Sequence, residues 1–279
     1  MADERIIEIL RADDPRIAEF CNIKERDLTR KSDQFIAEGK VVLQHLIQSQ
    51  ISDRRFEIVK ILILKNRLDG IRDVLEEVPL NIPIYTADKS VMNEIAGFEM
   101  HRGILALGQY NPDGDNADQI AKVGNADAPS LVLAACGISN HDNLGSIFRN
   151  AAAFGVEKIL LDPTSCHPLY RKAIRVSVGS ALTVPFELDV DIMSMIEDYT
   201  KQGYSIYGLS PRGTKMIDAL EPSQKTLLLL GTEGEGLPDE IMTQIKTAKI
   251  SQSDGLDSLN VATASGIALW QIARQMKLV

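Results

Sequence analysis

The stretch Ser258-Leu259-Asn260-Val261-Ala262-Thr263-Ala264-Ser265-Gly266-Ile267-Ala268-Leu269 constrains this chain more than any other. It sets a polar turn at the mouth of a helix built almost wholly from small and aliphatic residues. A helix so rich in Ala, Ser, Thr and Gly buries itself well only where another backbone comes close. The Ser-Leu-Asn turn adds a hydroxyl, an amide and the free N–H groups of a helix start. By itself such a turn is an N-cap. On a tightly packed wall it also suits a buried ligand.

A stretch rich in Gly, Pro, Asn and Asp at 111–129 is the one segment long enough for a linker. It divides the 279 residues into a predicted domain at 1–110 and another at 130–279. In the first, apolar runs at 34–37, 57–64, 82–86 and 104–107 read as strands, and 39–49, 68–77 and 89–95 as helices. Asp88 is placed to cap the third helix and Gly97 to end it. In the second, the continuous apolar run 131–135 reads as a strand buried on both faces. Further strands fall at 158–161, 181–186, 205–209, 226–230 and 248–250, with helices at 144–154, 192–201, 239–246 and 261–276. The alternation predicts an α/β fold: a mainly parallel sheet with helices on both faces. Ligands of such sheets bind beyond the carboxyl ends of the strands, here the residues following Cys136, Leu161, Leu209, Leu230 and Ile250.

Composition narrows the class. With 44% hydrophobic and 25% charged residues, the chain has the material for a sizeable globular core. Its acidic start leads into no long apolar stretch, so no secretory signal is expected, and no run approaches the ~18 apolar residues of a membrane span. Cys21, Cys136 and Cys166 are odd in number and widely spaced, which predicts reduced thiols, a cytoplasmic protein and no metal site. The net charge of −9 weighs against a nucleic-acid partner, though it does not exclude a local basic stripe.

Three strand ends carry unusual loops. The first runs from Gly137 to Gly155 and holds Asn143 near a helix start, with Arg149 about one and a half turns further on. An Arg between Phe148 and Ala151 on a helix that buries most of its surface is costly unless it meets an anion; the alternative is an Arg snorkelling to a surface carboxylate. The second is Leu230-Gly231-Thr232-Glu233-Gly234-Glu235-Gly236-Leu237-Pro238. Its three glycines imply a backbone that crosses a ligand closely or turns with positive φ. It is neither a P-loop nor a dinucleotide fingerprint, which argues against a dehydrogenase. The third is the opening stretch, approached through Ile250-Ser251-Gln252-Ser253-Asp254.

In this order the loops resemble the three motifs of the SpoU (TrmH) family of RNA 2′-O-ribose methyltransferases, in the SPOUT superfamily. Asn143-Leu144-Gly145…Arg149…Phe154-Gly155 is similar to motif 1, Leu230-Gly231…Glu233-Gly234…Gly236-Leu237-Pro238 to motif 2, and Ser258-Leu259-Asn260-Val261 to motif 3. Phe35-Ile36-Ala37-Glu38-Gly39 and His101-Arg102-Gly103-Ile104 resemble the start and end of the family's substrate-binding domain, a small α/β module of ribosomal-protein type. The resemblance implies that 130–279 is threaded as a deep trefoil knot, against the general scarcity of knots. It further implies S-adenosylmethionine as cofactor, structured RNA as partner (rRNA favoured over tRNA), and a homodimer paired through terminal helices. Carried over by position, Leu209, Gly231, Gly236, Ile250 and Leu259 serve the cofactor. Arg149, Asn143, Glu233, Ser258 and Asn260 serve catalysis, with Arg149 binding the phosphate beside the target ribose. His141 and His101 are expected to be loop or structural residues. RNA capture is expected in the first domain, through Lys24, Arg26, Arg30 and Lys31 or through Arg54, Arg55, Lys60, Lys65 and Arg67. One departure stands out: motif 3 usually opens Ile-Pro-Met and has glycine where Asp254 stands. That departure leaves room for an alternative, an RNA-binding ribosome-assembly protein of the same fold that does not methylate.

Overall fold

The computed structural model describes residues 5–21, 28–29, 32–52, 55–97, 100, 102–112, 128–232, 234–253, 255 and 257–279. The chain divides into two compact units, Met1–Val123 with Leu169–Leu182, and Gly124–Pro168 with Thr183–Val279.

The first unit is built on a five-stranded sheet in the order β1-β4-β3-β5-β2. Its strands are β1 (Ile6–Ile9), β2 (Gln34–Glu38), β3 (Phe56–Leu64), β4 (Ile84–Ala87) and β5 (Ile104–Tyr110). β4 pairs parallel with β1 and β3, while β5 pairs antiparallel with β2 and β3. Gly39, with φ +100°, turns β2 into helix α1 (Lys40–Ser52), which buries Val42, Leu43, Leu46 and Ile47. Helices α2 (Arg72–Leu75) and α3 (Lys89–Ala96) complete it. The expected helix at 68–77 is shorter than the pattern suggested: a 3-10 turn at Asp69–Ile71 leads into the single turn of α2. Asp88 does precede α3, but its side chain makes no capping hydrogen bond; Gly97, at φ +74°, ends the helix as expected. Strand β1, not among the expected strands, is the short β-branched run Ile-Ile-Glu-Ile. It exists because four residues find the open edge of β4.

Leu169–Leu182 packs with this unit although it is distant in sequence. Helix α5 (Arg171–Val176) lies against β2, and Arg171 pairs with Glu38 at 2.8 Å, the two side chains 14% and 7% exposed. Ser49 Oγ donates to the Leu182 carbonyl. The strand expected at 181–186 is cut down to the two residues Phe186–Glu187. Val178 (φ +54°) and Gly179 (φ +89°) reverse the chain into a 3-10 turn at Ser180–Leu182, where the Ser177 hydroxyl accepts from Ala181 N–H.

The second unit carries a seven-stranded sheet in the order β10-β12-β9-β11-β6-β7-β8, with every pairing parallel. Its strands are β6 (Ser130–Ala135), β7 (Lys158–Leu161), β8 (Phe186–Glu187), β9 (Ser205–Leu209), β10 (Lys215–Met216), β11 (Lys225–Leu230) and β12 (Lys246–Lys249). β6 is apolar from Leu131 and β11 from Leu227; both lie centrally and are buried on both faces. Helices α4 (His141–Ala153), α6 (Ile192–Lys201), α7 (Asp239–Met242) and α8 (Val261–Met276) follow strands as the alternation predicts. The helix expected at 239–246 stops four residues early. Lys246 and Thr247 are drawn into register with Tyr207 and Gly208, so β12 begins two residues before the apolar signal. From β6 the chain moves outward to β7 and β8, then returns beyond β11 to β9. The strand order therefore reverses between β6 and β11, which opens a crevice at their carboxyl ends.

Candidate active site

Beside that reversal, the carboxyl ends of β9, β11 and β12 hold a pocket of about 470 Å³, a size suited to a small-molecule ligand; the residues following Cys136 and Leu161, expected at such a site, do not line it. Leu209, Gly231, Gly236, Ile250 and Leu259, the five residues expected to hold a cofactor, all line it. Ser258 and Asn260 line it as well, whereas Glu233 lies outside the described residues. Sequence reasoning gave no role to Gln252, Asp257, Arg212 or Thr232, which also line the pocket. Gln252 was marked only as part of the departure from Ile-Pro-Met; the signal of the others was position, within a few residues of a strand end or a helix start.

The glycine loop is closed on itself. Thr232 and Gly236 exchange backbone hydrogen bonds of 3.3 and 3.2 Å, and Gly234 and Gly236 take φ of +100° and +73°. A Cβ on Gly231 would lie 2.4 Å from the Gly236 carbonyl carbon, so only glycine lets the strand end pass beneath the loop. Gly137 is tied to the same loop. Its φ is +71°, and a Cβ there would strike the Thr232 methyl at 2.2 Å.

Asp162 fixes the loop after β6. Its buried carboxylate accepts from Gly137 N–H at 2.9 Å, from Ser165 N–H at 3.0 Å and from the Thr164 hydroxyl. Burial pushes this carboxyl up, but the hydrogen bonds from Gly137, Ser165 and Thr164 outweigh it and hold the group below the usual carboxylate range. Burial, with Asp162 adding to it, pushes the neighbouring Cys136 thiol up to about 11, and burial takes Cys166 to about 12. Both are therefore protonated at neutral pH and poor nucleophiles.

Two asparagines join the motifs. Asn140 caps α4, its Oδ1 accepting from Asp142 and Asn143 N–H. Asn143 is 8% exposed, and its Oδ1 accepts a 2.9 Å bond from Asn260 Nδ2. Asn260 Oδ1 in turn accepts from Ala262 and Thr263 N–H, capping α8. One side chain thus caps one helix and grips the other. Asn150, unnoticed in the sequence, makes a second clamp by donating to the Ala262 carbonyl at 2.8 Å and to Ser265 Oγ at 3.1 Å. Gly266 faces it so closely that a Cβ would lie 3.1 Å from Asn150 Nδ2. The small residues of α8 are small because α4 packs on them.

Arg149 departs from its expected setting. The face of α4 that is buried carries Leu144, Ile147, Phe148 and Ala151, while Arg149 is exposed and does not line the pocket. Among the described residues no carboxylate pairs with it, so burial does not compel it to meet an anion. His141 opens α4 half-buried. In the other unit, Lys24, Arg26, Arg30, Lys31, Arg54 and His101 lie outside the described residues. Of the remaining basic cluster, Arg55 is buried against Phe56, and Lys60 and Lys65 pair with Glu19 and Glu8. Among the described residues no group of three or more His, Cys, Asp or Glu is placed to hold a metal, and no helix is long and apolar enough to cross a membrane.

Within the pocket wall, Gln252 Oε1 is buried and has no hydrogen-bond partner. A buried acceptor left unpaired is costly, so it marks a place where a ligand's donor would be welcome.

Comparison with known proteins places this architecture. A tRNA/rRNA methyltransferase of Mycobacterium bovis, itself uncharacterized, is 32% identical over 272 residues, covering 94% of this chain and 90% of its own length. The fold matches the AdoMet-bound rRNA methyltransferase of Sinorhizobium meliloti with a TM-score of 0.78 at 19% identity, over 97% of this chain and 98% of that one. It also matches an RNA 2′-O ribose methyltransferase with a TM-score of 0.79 at 19% identity, over 98% and 100% of the two chains. The model of the SpoU rRNA methylase family matches residues 130–270, and the chain belongs to that family.

Proposed function

We propose that the protein transfers a methyl group from S-adenosylmethionine to a ribose 2′-hydroxyl of structured RNA, ribosomal rather than transfer RNA. The observation that carries the reading is the pocket at the carboxyl ends of β9, β11 and β12, lined by the motif 2 and motif 3 loops, with motif 1 joined to its wall through the Asn143–Asn260 hydrogen bond. Its residues fit the cofactor: Leu209, Ile250 and Leu259 offer apolar surface, the exposed Asp257 and Glu235 carboxylates suit an ammonium, and the buried Gln252 Oε1 is without a donor. The relatives and fold neighbours named above, one of them AdoMet-bound and one a 2′-O ribose methyltransferase, support the same assignment.

Leu209, Ile250 and Leu259 supply apolar walls, and Gly231 and Gly236 let backbone approach the ligand. S-adenosylmethionine, when bound, supplies an electrophilic methyl carried on a sulfonium. The protein's tasks are then to align the ribose hydroxyl and to remove its proton. Ser258 and the Asn143–Asn260 pair hold the rim where that hydroxyl would enter. Arg149, exposed on α4, binds the RNA phosphate beside the target ribose as a bidentate donor, leaving the phosphate to relay the proton. Its guanidinium stays protonated, which suits it to anchoring rather than to base catalysis. Glu233, outside the described residues, is assigned by its motif position to fixing Arg149 or the motif loops.

We further propose that residues 130–279 are threaded as a trefoil knot and that residues 1–110 bind the RNA. Gly213 supports the threading: a Cβ there would lie 2.3 Å from the Ala248 carbonyl carbon, a backbone-on-backbone approach. The protein acts as a homodimer paired through α8, whose exposed face carries Ile267 and Trp270, 38% and 44% exposed. Calorimetric titration with S-adenosylmethionine tests the cofactor, and mapping 2′-O-methylation across total RNA with and without the protein tests the reaction. No binding at millimolar cofactor would leave only an RNA-binding protein of this fold. Arg149→Ala should bind cofactor normally and lose most single-turnover methylation at saturating RNA; near-normal methylation would refute its role. Light scattering at micromolar protein should give a dimer, and Trp270→Glu a monomer.

A further inference from the structure

We infer that Gln252 reads the adenine of the cofactor, its buried Oε1 accepting from the exocyclic 6-amino group, and so makes this pocket selective for a 6-aminopurine. The inference rests on the reading that the pocket takes S-adenosylmethionine. Gln252 follows Ile250 at the carboxyl end of β12, in the wall of the same pocket. Its Oε1 is shut off from solvent without a hydrogen-bond partner, whereas the other polar side chains that the wall buries or half-buries are paired. Asn260, further along the rim, spends both ends of its amide on Asn143 and on the α8 N–H groups. Among the buried or half-buried side chains of the described wall, Gln252 alone keeps an acceptor in reserve, at a position where the family's pattern has a methionine that accepts only weakly.

S-adenosylmethionine offers two kinds of nitrogen donor, the amino group of the base and the α-ammonium. Chemistry separates them. A cation is matched by a carboxylate, and Asp257 and Glu235 line the same pocket exposed to solvent, where charge is cheaply kept. A neutral, desolvated carboxamide oxygen matches a neutral amine, and a Gln amide can meet an adenine edge with acceptor and donor together. The apolar side chains of Leu209, Ile250 and Leu259 provide the surfaces that a purine ring requires. A site whose buried acceptor needs a donor rejects analogues that lack one, because the acceptor is then left unpaired.

The test uses the full-length protein and equilibrium titration with three ligands: S-adenosylmethionine, 5′-methylthioadenosine, which lacks the amino-acid end, and 5′-methylthioinosine, which also lacks the 6-amino group. Gln252→Met conserves volume and removes the acceptor; Gln252→Glu keeps an acceptor. Wild type should prefer methylthioadenosine over methylthioinosine. Gln252→Met should weaken S-adenosylmethionine and methylthioadenosine equally, by about tenfold, and lose about tenfold of that preference. Gln252→Glu should retain most of it. Unliganded unfolding midpoints matching wild type would show that both variants fold. Unchanged affinities in Gln252→Met would overturn the inference and leave the cofactor reading standing. A loss confined to S-adenosylmethionine would overturn it too, by moving the donor to the ammonium. A wild type that binds neither adenosyl ligand would bring down the cofactor reading itself, and the inference with it.

Discussion

Asn260 carries two separable contributions, and they can be measured apart. Its Oδ1 caps α8 through Ala262 and Thr263 N–H, while its Nδ2 donates to the buried Oδ1 of Asn143 on α4. Serine caps a helix about as well as asparagine but cannot reach across to Asn143, so Asn260→Ser removes the bridge alone. That should cost about 1 kcal/mol, the net worth of one such hydrogen bond. Asn260→Ala removes the cap as well, which adds about 1 kcal/mol more. With a urea slope of about 2–3 kcal/mol per molar, the unfolding midpoint should fall by roughly 0.4 M for serine and 0.8 M for alanine. A double-mutant cycle of Asn260→Ser with Asn143→Ala should return a coupling of about 1 kcal/mol. Far-UV circular dichroism in urea provides the measurement, beside cofactor titration of each variant. If serine matched wild type, the inter-helix bond would be idle. If alanine matched serine, the cap would contribute nothing, and the account of how motifs 1 and 3 are joined would fail.

Gly231→Ala should reduce S-adenosylmethionine affinity at least tenfold, because its Cβ meets backbone; Gly234→Ala, with open space around it, should cost stability of about 1 kcal/mol but much less affinity. Equal affinities for the two variants would refute the idea that the close Gly231–Gly236 backbone packing shapes the pocket wall. Asp162 has a depressed carboxyl, so its contribution should be fully present above the unfolded value of about 3.9 and fade as pH falls from there towards the folded value. Denaturant midpoints across pH 2–6 should therefore fall more steeply for wild type than for Asp162→Asn; parallel curves would refute this. Arg171→Ala leaves Glu38 buried without its cation and should destabilise the first unit by about 3 kcal/mol, part of which Glu38→Gln recovers. A loss below about 0.5 kcal/mol would place the pair among ordinary surface ion pairs.

Much of the second unit could be read from pattern because its signals are local. Strands β6 and β11 are continuous apolar runs, and a strand with sheet neighbours on each side and helices on both faces tolerates little else. Gly231, Ile250 and Leu259 were legible through position, since each follows a strand end or precedes a helix start. Asn150 was not legible, because its partners lie 112 and 115 residues away; Asp162 stood at a marked strand end beside Thr164 and Ser165, but its tie to Gly137, 25 residues away, was not legible. The 181–186 strand was cut down to β8, which begins only at Phe186, for a related reason. Its composition suits a strand, but Val178 and Gly179 had already turned the chain through left-handed conformations.

The sequence by itself determined that Ser258-Leu259-Asn260 opens a helix whose small residues demand a close neighbour, because side-chain volume and capping chemistry are properties of adjacent residues. It also determined which strand ends bear glycine loops. Only the tertiary structure decided that the neighbour is α4, that Asn143 and Asn150 are the groups reaching across, and that Arg149 stands exposed instead of buried. It alone decided that Leu169–Leu182 joins the first unit and that Gln252 ends with an unpaired acceptor. These depend on which hydrogen-bonding groups meet and which are shut from water, and those pairings are settled only when distant segments pack.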